Sequence, residues 1–315
     1  MNPASRPRLL ASTTPDIAEA AAILRGAGLV AVPTETVYGL AARADRDESV
    51  AAIYAAKGRP SFNPLIVHVA DLAGAEAIAL LDERAKALAE AFWPGPLTLV
   101  LPLREGAPVA AAVTAGLSTV ALRCPAHPVM RALIAETGLP LAAPSANRSG
   151  AVSPTTAGHV VASLGDRVDA VIDGGACAAG LESTIVALRE GTRWQVLRPG
   201  PIAEAELAAV LGQASEPVTA QAIEAPGQLA SHYAPGKPVR LNALKAEPDE
   251  FHIGFGAVAG HATLSASGDL NEAASRLYAL LHQGAADGHV RIAIAPVPET
   301  GIGAAINDRL RRAAA

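Results

Sequence analysis

Apolar residues recur along this chain with two periods, one helical and one extended. Ile17, Ala20, Ala21 and Leu24 fall at helical spacing behind Thr14 and Pro15, which read as N-cap and first helical residue, and Gly26 and Gly28 stop the run. A buried strand over 29–33 follows, with the polar run Thr34, Glu35, Thr36 at its carboxyl end, where α/β folds often place ligand groups. The spacing predicts a helix over 47–57, with Val50, Ile53 and Tyr54 inward and Gly58 as its stop, then a strand over 65–69. A helix over 82–92 carries Ala85, Leu88, Ala89 and Phe92. Strands over 97–103 and 119–123 and a helix over 129–136, closed by Gly138, come next. Ser153 followed by Pro154 repeats the cap signature and predicts a helix from there to about Gly165. Strands over 170–173, 183–188 and 194–198 complete the unit, the last two as a hairpin through Glu190 and Gly191. Crossovers mixed with hairpins predict a mixed sheet.

After a short helix over 203–211 the periodicity fails. Residues 212–238 are rich in Pro, Gly, Ala and Gln and read as an inter-domain linker. A smaller α/β unit resumes at Val239, with strands near 251–255 and 290–295 and helices over 271–282 and 304–312. The reading is therefore an α/β protein with a first domain at 1–211, a linker at 212–238 and a small domain at 239–315, without internal repeats.

Composition sharpens this picture at a few points. At 315 residues the chain is long enough for about two domains, each with its own core. Half the residues are hydrophobic and 3% aromatic, so those cores are built from Ala, Val, Leu and Ile. A formal charge of -5 and four scattered lysines (Lys57, Lys86, Lys237, Lys245) argue against gripping nucleic acid by the overall field. Cys124 and Cys177 stand far apart with no CxxC, which excludes a disulfide framework and fits a reducing cytoplasm. The apolar run at 9–11 is too short for a signal-peptide core. The longest membrane candidate, 109–122, is broken by Thr114, Gly116, Ser118 and Thr119.

Common nucleotide and metal motifs fail. The single Gly-Lys pair, Gly236-Lys237, runs into Pro238, so there is no Walker A loop. Gly254, Gly256 and Gly260 miss the dinucleotide spacing by one residue and read as a tight turn. His252, His261, His282 and His289 lack HExxH spacing and read as surface residues.

What remains is a set of polar residues that end apolar strands beside Gly or Pro, where bare backbone lets a ligand approach. Pro33 to Leu40, taken alone, is as well read as a turn and a helix cap. Lys57-Gly58-Arg59-Pro60, followed by Asn63-Pro64, projects two cations from a helix end and suits an anion better than dipole compensation. His68 in its strand, by itself, reads as a core histidine. Arg123 ends an apolar strand, and its plain alternative is a surface ion pair. Ala143-Pro144-Ser145-Ala146-Asn147 sets small polar groups on a rigid loop, with the Ser153 hydroxyl at the next helix start as a phosphate candidate. Glu182-Ser183-Thr184 and Arg198-Pro199-Gly200 close the set.

Seven segments, namely the Thr36 stretch, Lys57-Gly58-Arg59-Pro60, Asn63-Pro64-Leu65, Trp93-Pro94-Gly95-Pro96, Pro144-Ser145-Ala146-Asn147, Glu182-Ser183-Thr184 and Arg198-Pro199-Gly200, stand in the order found in the YrdC-like family, and residues 18–201 resemble it throughout. Ala225-Pro226-Gly227, His232-Tyr233-Ala234-Pro235 and the ending Gly303 to Leu310 resemble the family's long form, the two-domain threonylcarbamoyl-AMP synthases. The resemblance implies a YrdC-like twisted mixed sheet with a concave polar face, plus a smaller Rossmann-like α/β domain. It implies a reaction in which L-threonine, bicarbonate or CO2, and ATP with Mg²⁺ become threonylcarbamoyl-AMP and pyrophosphate. Downstream transferase proteins then move the threonylcarbamoyl group to an adenosine beside the tRNA anticodon, with weak or no direct tRNA binding by this chain and no membrane.

By motif match, Thr36, His68, Arg123, the Ala143 backbone and Ser183 would bind L-threonine, Arg123 taking its carboxylate. Lys57 and Arg59 would be the catalytic cations. Arg59, Asn63, Thr119, Ser145, Asn147, Ser153, Arg198 and Tyr233 would bind ATP, Tyr233 reaching in from the linker as part of a lid. No protein-held metal and no covalent nucleophile is implied, because the substrates bring nucleophile and leaving group, and Cys124 and Cys177 read as small buried residues. This sequence departs from the family at Gln228, Leu229, Ala230 and Ser231, where basic residues usually precede His-Tyr.

Two rivals carry their own signatures. A carbamoyltransferase of hydrogenase maturation would bring zinc-finger cysteines and an acylphosphatase unit, both missing from this sequence. An RNA-binding module would call for more lysine and aromatic surface than it has.

Overall fold

A computed structural model describes residues 7–218, 224–228 and 232–315. Part of the expected linker, 219–223 and 229–231, therefore lies outside the described residues, as does 1–6. The first unit runs β1 (Arg8–Ala11), α1 (Thr14–Arg25), β2 (Val30–Val32), β3 (Gly39–Arg43), α2 (Asp47–Lys57), β4 (Ile66–His68), α3 (Leu72–Glu76), α4 (Glu83–Phe92) and β5 (Leu97–Pro102). It continues with α5 (Ala111–Thr114), β6 (Thr119–Arg123), α6 (Pro128–Thr137), β7 (Leu141–Ala142), α7 (Ala157–Leu164), β8 (Ala170–Asp173), β9 (Thr184–Leu188), β10 (Trp194–Arg198) and α8 (Glu204–Leu211). The second unit comprises β11 (Val239–Arg240), β12 (Glu250–Gly254), β13 (Ala262–Thr263), α9 (Leu270–Ala286), β14 (Arg291–Ile294) and α10 (Gly303–Ala313).

The expected mixed sheet forms, with ten strands in the order β1-β8-β2-β3-β7-β4-β6-β5-β9-β10. Pairs such as β4/β6 and β5/β9 are parallel, whereas β2/β3, β5/β6 and β9/β10 are antiparallel. The second sheet is parallel throughout, in the order β11-β14-β12-β13.

Side-chain alternation decides which layer each strand feeds. Val30, Val32 and Ala41 pack with α1 and α6, while Ala31, Leu40 and Ala42 join the core that includes residues of α2, α4 and α7. A third, small cluster joins Ile66, Val100, Ala121, Ile185, Ala187 and Leu197 to Ala225 of the inter-domain stretch. His68 shares a face with Ile66, and Arg123 with Ala121, so the candidate residues stand beside a part of the sheet that the inter-domain stretch covers.

Local chemistry corrects several expectations. The cap of α1 is Thr13 and not Thr14, because the Thr13 hydroxyl accepts from the Asp16 N–H. Ser153 does not cap α7; Thr156 does, accepting from His159 N–H, and the Ser153 hydroxyl turns instead to Glu182. Residues 39–43 are strand β3, so the alternative reading of Pro33 to Leu40 as a turn and a helix cap fails at Gly39 and Leu40. His252 is buried at 3% exposure and His282 half-buried, against the expectation of surface residues. The turn after β12 holds: a Cβ on Gly254 would stand 2.2 Å from the Val258 carbonyl oxygen. Among the described residues no helix is long and apolar enough to cross a membrane.

Candidate active site

The β4/β6 register sets His68 beside Arg123. Arg123 then reaches the loop after β2, donating from Nη1 to Thr36 Oγ1 at 2.9 Å and from Nη2 to Glu35 Oε1 at 2.6 Å. That loop is wound around Thr34, whose hydroxyl donates to the Val37 carbonyl and accepts from the N–H groups of Thr36 and Val37. Its one proton is thereby used, so Thr36 donates in the 2.8 Å contact between the two hydroxyls and accepts from Arg123. Burial alone would raise the Glu35 pKa, but the charge and hydrogen bond of Arg123 and the Ala126 N–H outweigh it and lower it. Burial, reinforced by Arg123, pushes the His68 imidazole down to about 3, so it is neutral near pH 7, with Nδ1 lacking a partner among the described residues.

A cationic wall faces this end. α2 stops at Gly58, whose φ of +60° suits glycine, and the chain turns there to present Lys57 and Arg59. Lys57 Nζ donates to the carbonyls of Ser145 and Asn147, both at 2.5 Å, fastening the 143–147 loop to the helix. Arg59 is held by Asn63 Oδ1 at 2.6 Å and by the carbonyls of Asn63 and Pro64. Arg198 donates to the Ser183 carbonyl and hydroxyl, both at 3.1 Å, and that hydroxyl also meets Thr98 Oγ1 at 2.7 Å. Burial lowers all three cations, Lys57 well below its usual value and Arg59 to about 10, with Arg59 and Arg198 each adding like-charge repulsion to a neighbour. The pocket's carboxylate is Glu182, and it is not free. It accepts from Ser153 Oγ at 2.5 Å, Tyr278 OH at 2.8 Å and Arg309 Nε at 2.9 Å. Burial would raise it, but Arg309 and Arg198 lower it to about 2. Arg59 and Arg198 line the pocket against one carboxylate, which Arg309 already engages, and this leaves an excess of positive charge that an anion would neutralise.

The inter-domain stretch forms the roof. Gly227, at φ +85°, passes so close to Arg198 that a Cβ would stand 2.9 Å from its Cδ and 3.2 Å from Tyr233 OH. Tyr233 is buried and sits in the left-handed region at φ +64°, which a tyrosine adopts only when its surroundings hold it there. Burial pushes His232 down to about 3. The cavity beneath is about 40 Å³, room for about three waters at roughly 10–15 Å³ each, whereas ligand pockets run to about 300–1,000 Å³.

Thr36, His68, Arg123, Ala143, Ser183, Arg59, Ser145, Arg198 and Tyr233 thus line one pocket. Lys57, Asn63 and Asn147 are buried but absent from its lining, and Asn147 spends its amide on the carbonyls of Arg148 and Ala151. Ser153 stands behind Glu182. Thr119 opens β6, at the end opposite Arg123, and is half-buried opposite Pro102. The sequence reading assigned no role to Glu35, Glu182 or His232, although all three lie inside its motifs. Their signal is an acid or imidazole in a short segment bounded by Pro or Gly, and the partners of the two acids are about 30 to 130 residues away.

Comparison with known proteins gives matches along the chain. The Sua5/YciO/YrdC family profile, described as Telomere recombination, matches residues 22–200, and one described as Threonylcarbamoyl-AMP synthase, C-terminal domain, matches 202–315. The threonylcarbamoyl-AMP synthase of Bacillus subtilis is 46% identical over 243 residues, covering 74% of this chain and 68% of its own. That of Pyrococcus abyssi is 39% identical over 319 residues, covering 93% and 92%. The crystal structure of P. abyssi Sua5 complexed with L-threonine superposes with a TM-score of 0.89 at 36% identity, covering 98% of this chain and 97% of that one.

Proposed function

The chain belongs to the Sua5/YciO/YrdC family, in its two-domain form, and from that premise we propose that it makes threonylcarbamoyl-AMP from L-threonine, bicarbonate or CO2, and ATP, releasing pyrophosphate. The observation that carries the reading is one pocket with two unlike ends. Arg123, ordered by Glu35 and Thr36, offers a guanidinium fork to an amino-acid carboxylate, while Arg59 and Arg198 face an anion with excess positive charge.

Between those ends the chemistry needs little from the protein beyond position and charge. The threonine amine takes up CO2 and gives up a proton to form a carbamate. A carbamate oxygen then attacks the α-phosphorus of ATP, the bond to the bridging oxygen breaks, and pyrophosphate leaves with the electron pair. In-line displacement of this kind is accelerated by holding the reactants and stabilising charge on the phosphate oxygens. We assign that work to Arg59, Arg198 and Ser145, with Lys57 shaping the Ser145 loop and Asn63 and Asn147 holding this wall from behind. Ser153 acts through Glu182, and Thr119 has the weakest claim on the nucleotide because it opens β6 at the far end from Arg123. At the other end, neutral His68, Ser183 and the Ala143 backbone orient threonine. Residues 224–228 and 232–234 close over the pocket, with Tyr233 against the nucleotide, which protects a carbamate and an acyl adenylate from water.

Mg²⁺ would supply charge neutralisation on the triphosphate. The described residues form no group of three His, Cys, Asp or Glu able to hold a metal, and both Glu182 oxygens are engaged. The donor set therefore does not fit a resident ion. The product passes to proteins that transfer the threonylcarbamoyl group to tRNA, in the cytoplasm, with little direct tRNA contact by this acidic chain.

Purified protein incubated with Mg²⁺, ATP, L-threonine and bicarbonate, followed by rapid chromatography and mass spectrometry, tests this. Threonylcarbamoyl-AMP and pyrophosphate should appear and vanish when threonine or bicarbonate is left out. Their absence from a folded, ATP-binding sample would sink the reading.

A further inference from the structure

The second domain reaches the pocket through two side chains that the chemistry above leaves without a role. Arg309, on α10, is fully buried. Its Nε donates to Glu182 Oε2 and its Nη1 to Asp308 at 2.7 Å, while Nη2 has no hydrogen-bond partner among the described residues. Tyr278, on α9, donates its hydroxyl to the same Glu182 oxygen. Both also face Tyr233: the Arg309 guanidinium carbon lies 5.4 Å from that ring's centroid, and the Tyr278 ring stacks on it at 5.6 Å.

Stability does not demand this arrangement, since a buried guanidinium is costly to desolvate and apolar side chains fill such a volume at less expense. Position does account for it. The backbone before Glu182 lies directly on the second domain: Gly180, at φ +68°, would place a Cβ 2.4 Å from Ser275 Cα and 2.6 Å from the Ala274 carbonyl oxygen of α9. The roof is pinned on both sides, by His232 N–H to the Arg312 carbonyl of α10 at 3.2 Å and by Ala234 N–H to the Gly150 carbonyl at 2.8 Å. Val37, Val152 and Leu181 of the first domain and Tyr233 of the roof share one apolar cluster with Leu277 and Leu310 of the second.

We propose that Arg309, assisted by Tyr278, is a positioning residue: from the second domain it seats Tyr233 over the pocket and fixes Glu182 in the pocket wall. The second domain is then the closing face of the site, which rests on the reading above that residues 224–228 and 232–234 cover a nucleotide. Arg309 touches no reacting atom, and its effect passes through Tyr233 and Glu182.

The test uses the full chain carrying Arg309→Met, Arg309→Lys or Tyr278→Phe. Backbone amide exchange at His232 and Ala234 is read with and without ATP, and KM for ATP and for threonine is read in the adenylate assay. Arg309→Met should speed exchange at both amides and raise KM for ATP, each by about tenfold, as expected for loss of one desolvated cation–π contact. KM for threonine should stay within about twofold, a change too small to signal a lost contact. Arg309→Lys, which keeps the charge but not the planar fork, should recover part of the ATP effect, which a merely structural role would not predict. Unchanged exchange and unchanged KM for ATP in a folded Arg309→Met protein would overturn the proposal. Should that variant fail to fold, Arg309→Lys decides, since it loses the planar fork held between Glu182 and Asp308: exchange faster than wild type supports the seat and unchanged exchange overturns it. A wild-type protein that makes no threonylcarbamoyl-AMP would defeat the functional reading alone, because the exchange measurement with ATP needs no turnover.

Discussion

Arg123 and Glu35 meet at 2.6 Å in the pocket wall, their side chains 5% and 15% exposed. The carboxylate is itself held by the Ala126 N–H, so it works as a fixed post that aims the guanidinium. Glu35→Gln removes the charge and keeps the shape. KM for threonine should rise by roughly 10-fold, within the range for one charge-assisted hydrogen bond, while KM for ATP stays near wild type. A fall in KM for threonine would mean that Glu35 competes with the substrate instead of orienting Arg123.

Arg59 and Arg123 belong to opposite ends of the pocket and should separate cleanly in kinetics. Arg59→Ala is expected to raise KM for ATP by roughly 10- to 100-fold with little effect on threonine, and Arg123→Ala the reverse. Steady-state measurements with each substrate varied in turn check this. Equal effects on both substrates from either variant would mean that the two ends are not distinct.

Acid should destabilise the fold earlier than carboxylate protonation alone would require. His68 and His232 are each held near 3, against an ordinary 6.5. Between those values the unfolded chain binds more protons than the folded one, so stability is present in full above about 6.5 and is lost as pH falls toward 3. Each fully buried histidine contributes a slope of at most about 1.4 kcal/mol per pH unit in that window. Glu182 adds to this only below its ordinary 4.5, its share being lost as pH falls toward 2. Tm measured from pH 7.5 to 4 should therefore begin to drop near 6.5, and His232→Asn should flatten the upper part of the curve. A wild-type Tm flat down to pH 5 would contradict the assignment.

Gly200 is required by the space around it. A Cβ there would lie 2.4 Å from Thr184 N, 2.7 Å from the Ser183 carbonyl carbon and 2.8 Å from the Glu182 carbonyl oxygen. Because these are backbone atoms, Gly200→Ala must displace the segment that carries Ser183 and Glu182. We expect at least a roughly tenfold loss of kcat/KM, the cost of misplacing groups by fractions of an ångström, together with a lower Tm. Full activity in that variant would show that the segment yields without harm to the site.

The sequence was legible where local rules decide. Asp47–Lys57 is predicted to the residue, because acidic residues open the helix and Gly58 closes it. Strand β3 was missed, since Gly39-Leu40-Ala41-Ala42-Arg43 carries no β-branched residue and is covered on both faces, leaving neither propensity nor alternation to read. Ser153 and Thr156 both look like caps, and only Glu182, 29 residues away, decides that the serine hydroxyl is spent elsewhere. The motifs contain most of the residues that line the pocket, but do not show that Lys57 binds carbonyls or that Asn63 grips Arg59. Those roles depend on which loop folds back on which helix end. Arg309 lay furthest from view, because its partner Glu182 is 127 residues away.

Tyr233 is at once a roof residue and a member of the second domain's apolar cluster. If, as proposed, Tyr233 must withdraw to admit a nucleotide, that movement would strip part of the cluster and make entry a local opening of the second domain's core instead of a hinge swing between finished bodies. Catalytic turnover and heat resistance then draw on one coordinate, so substitutions that harden the second domain should slow the admission of ATP.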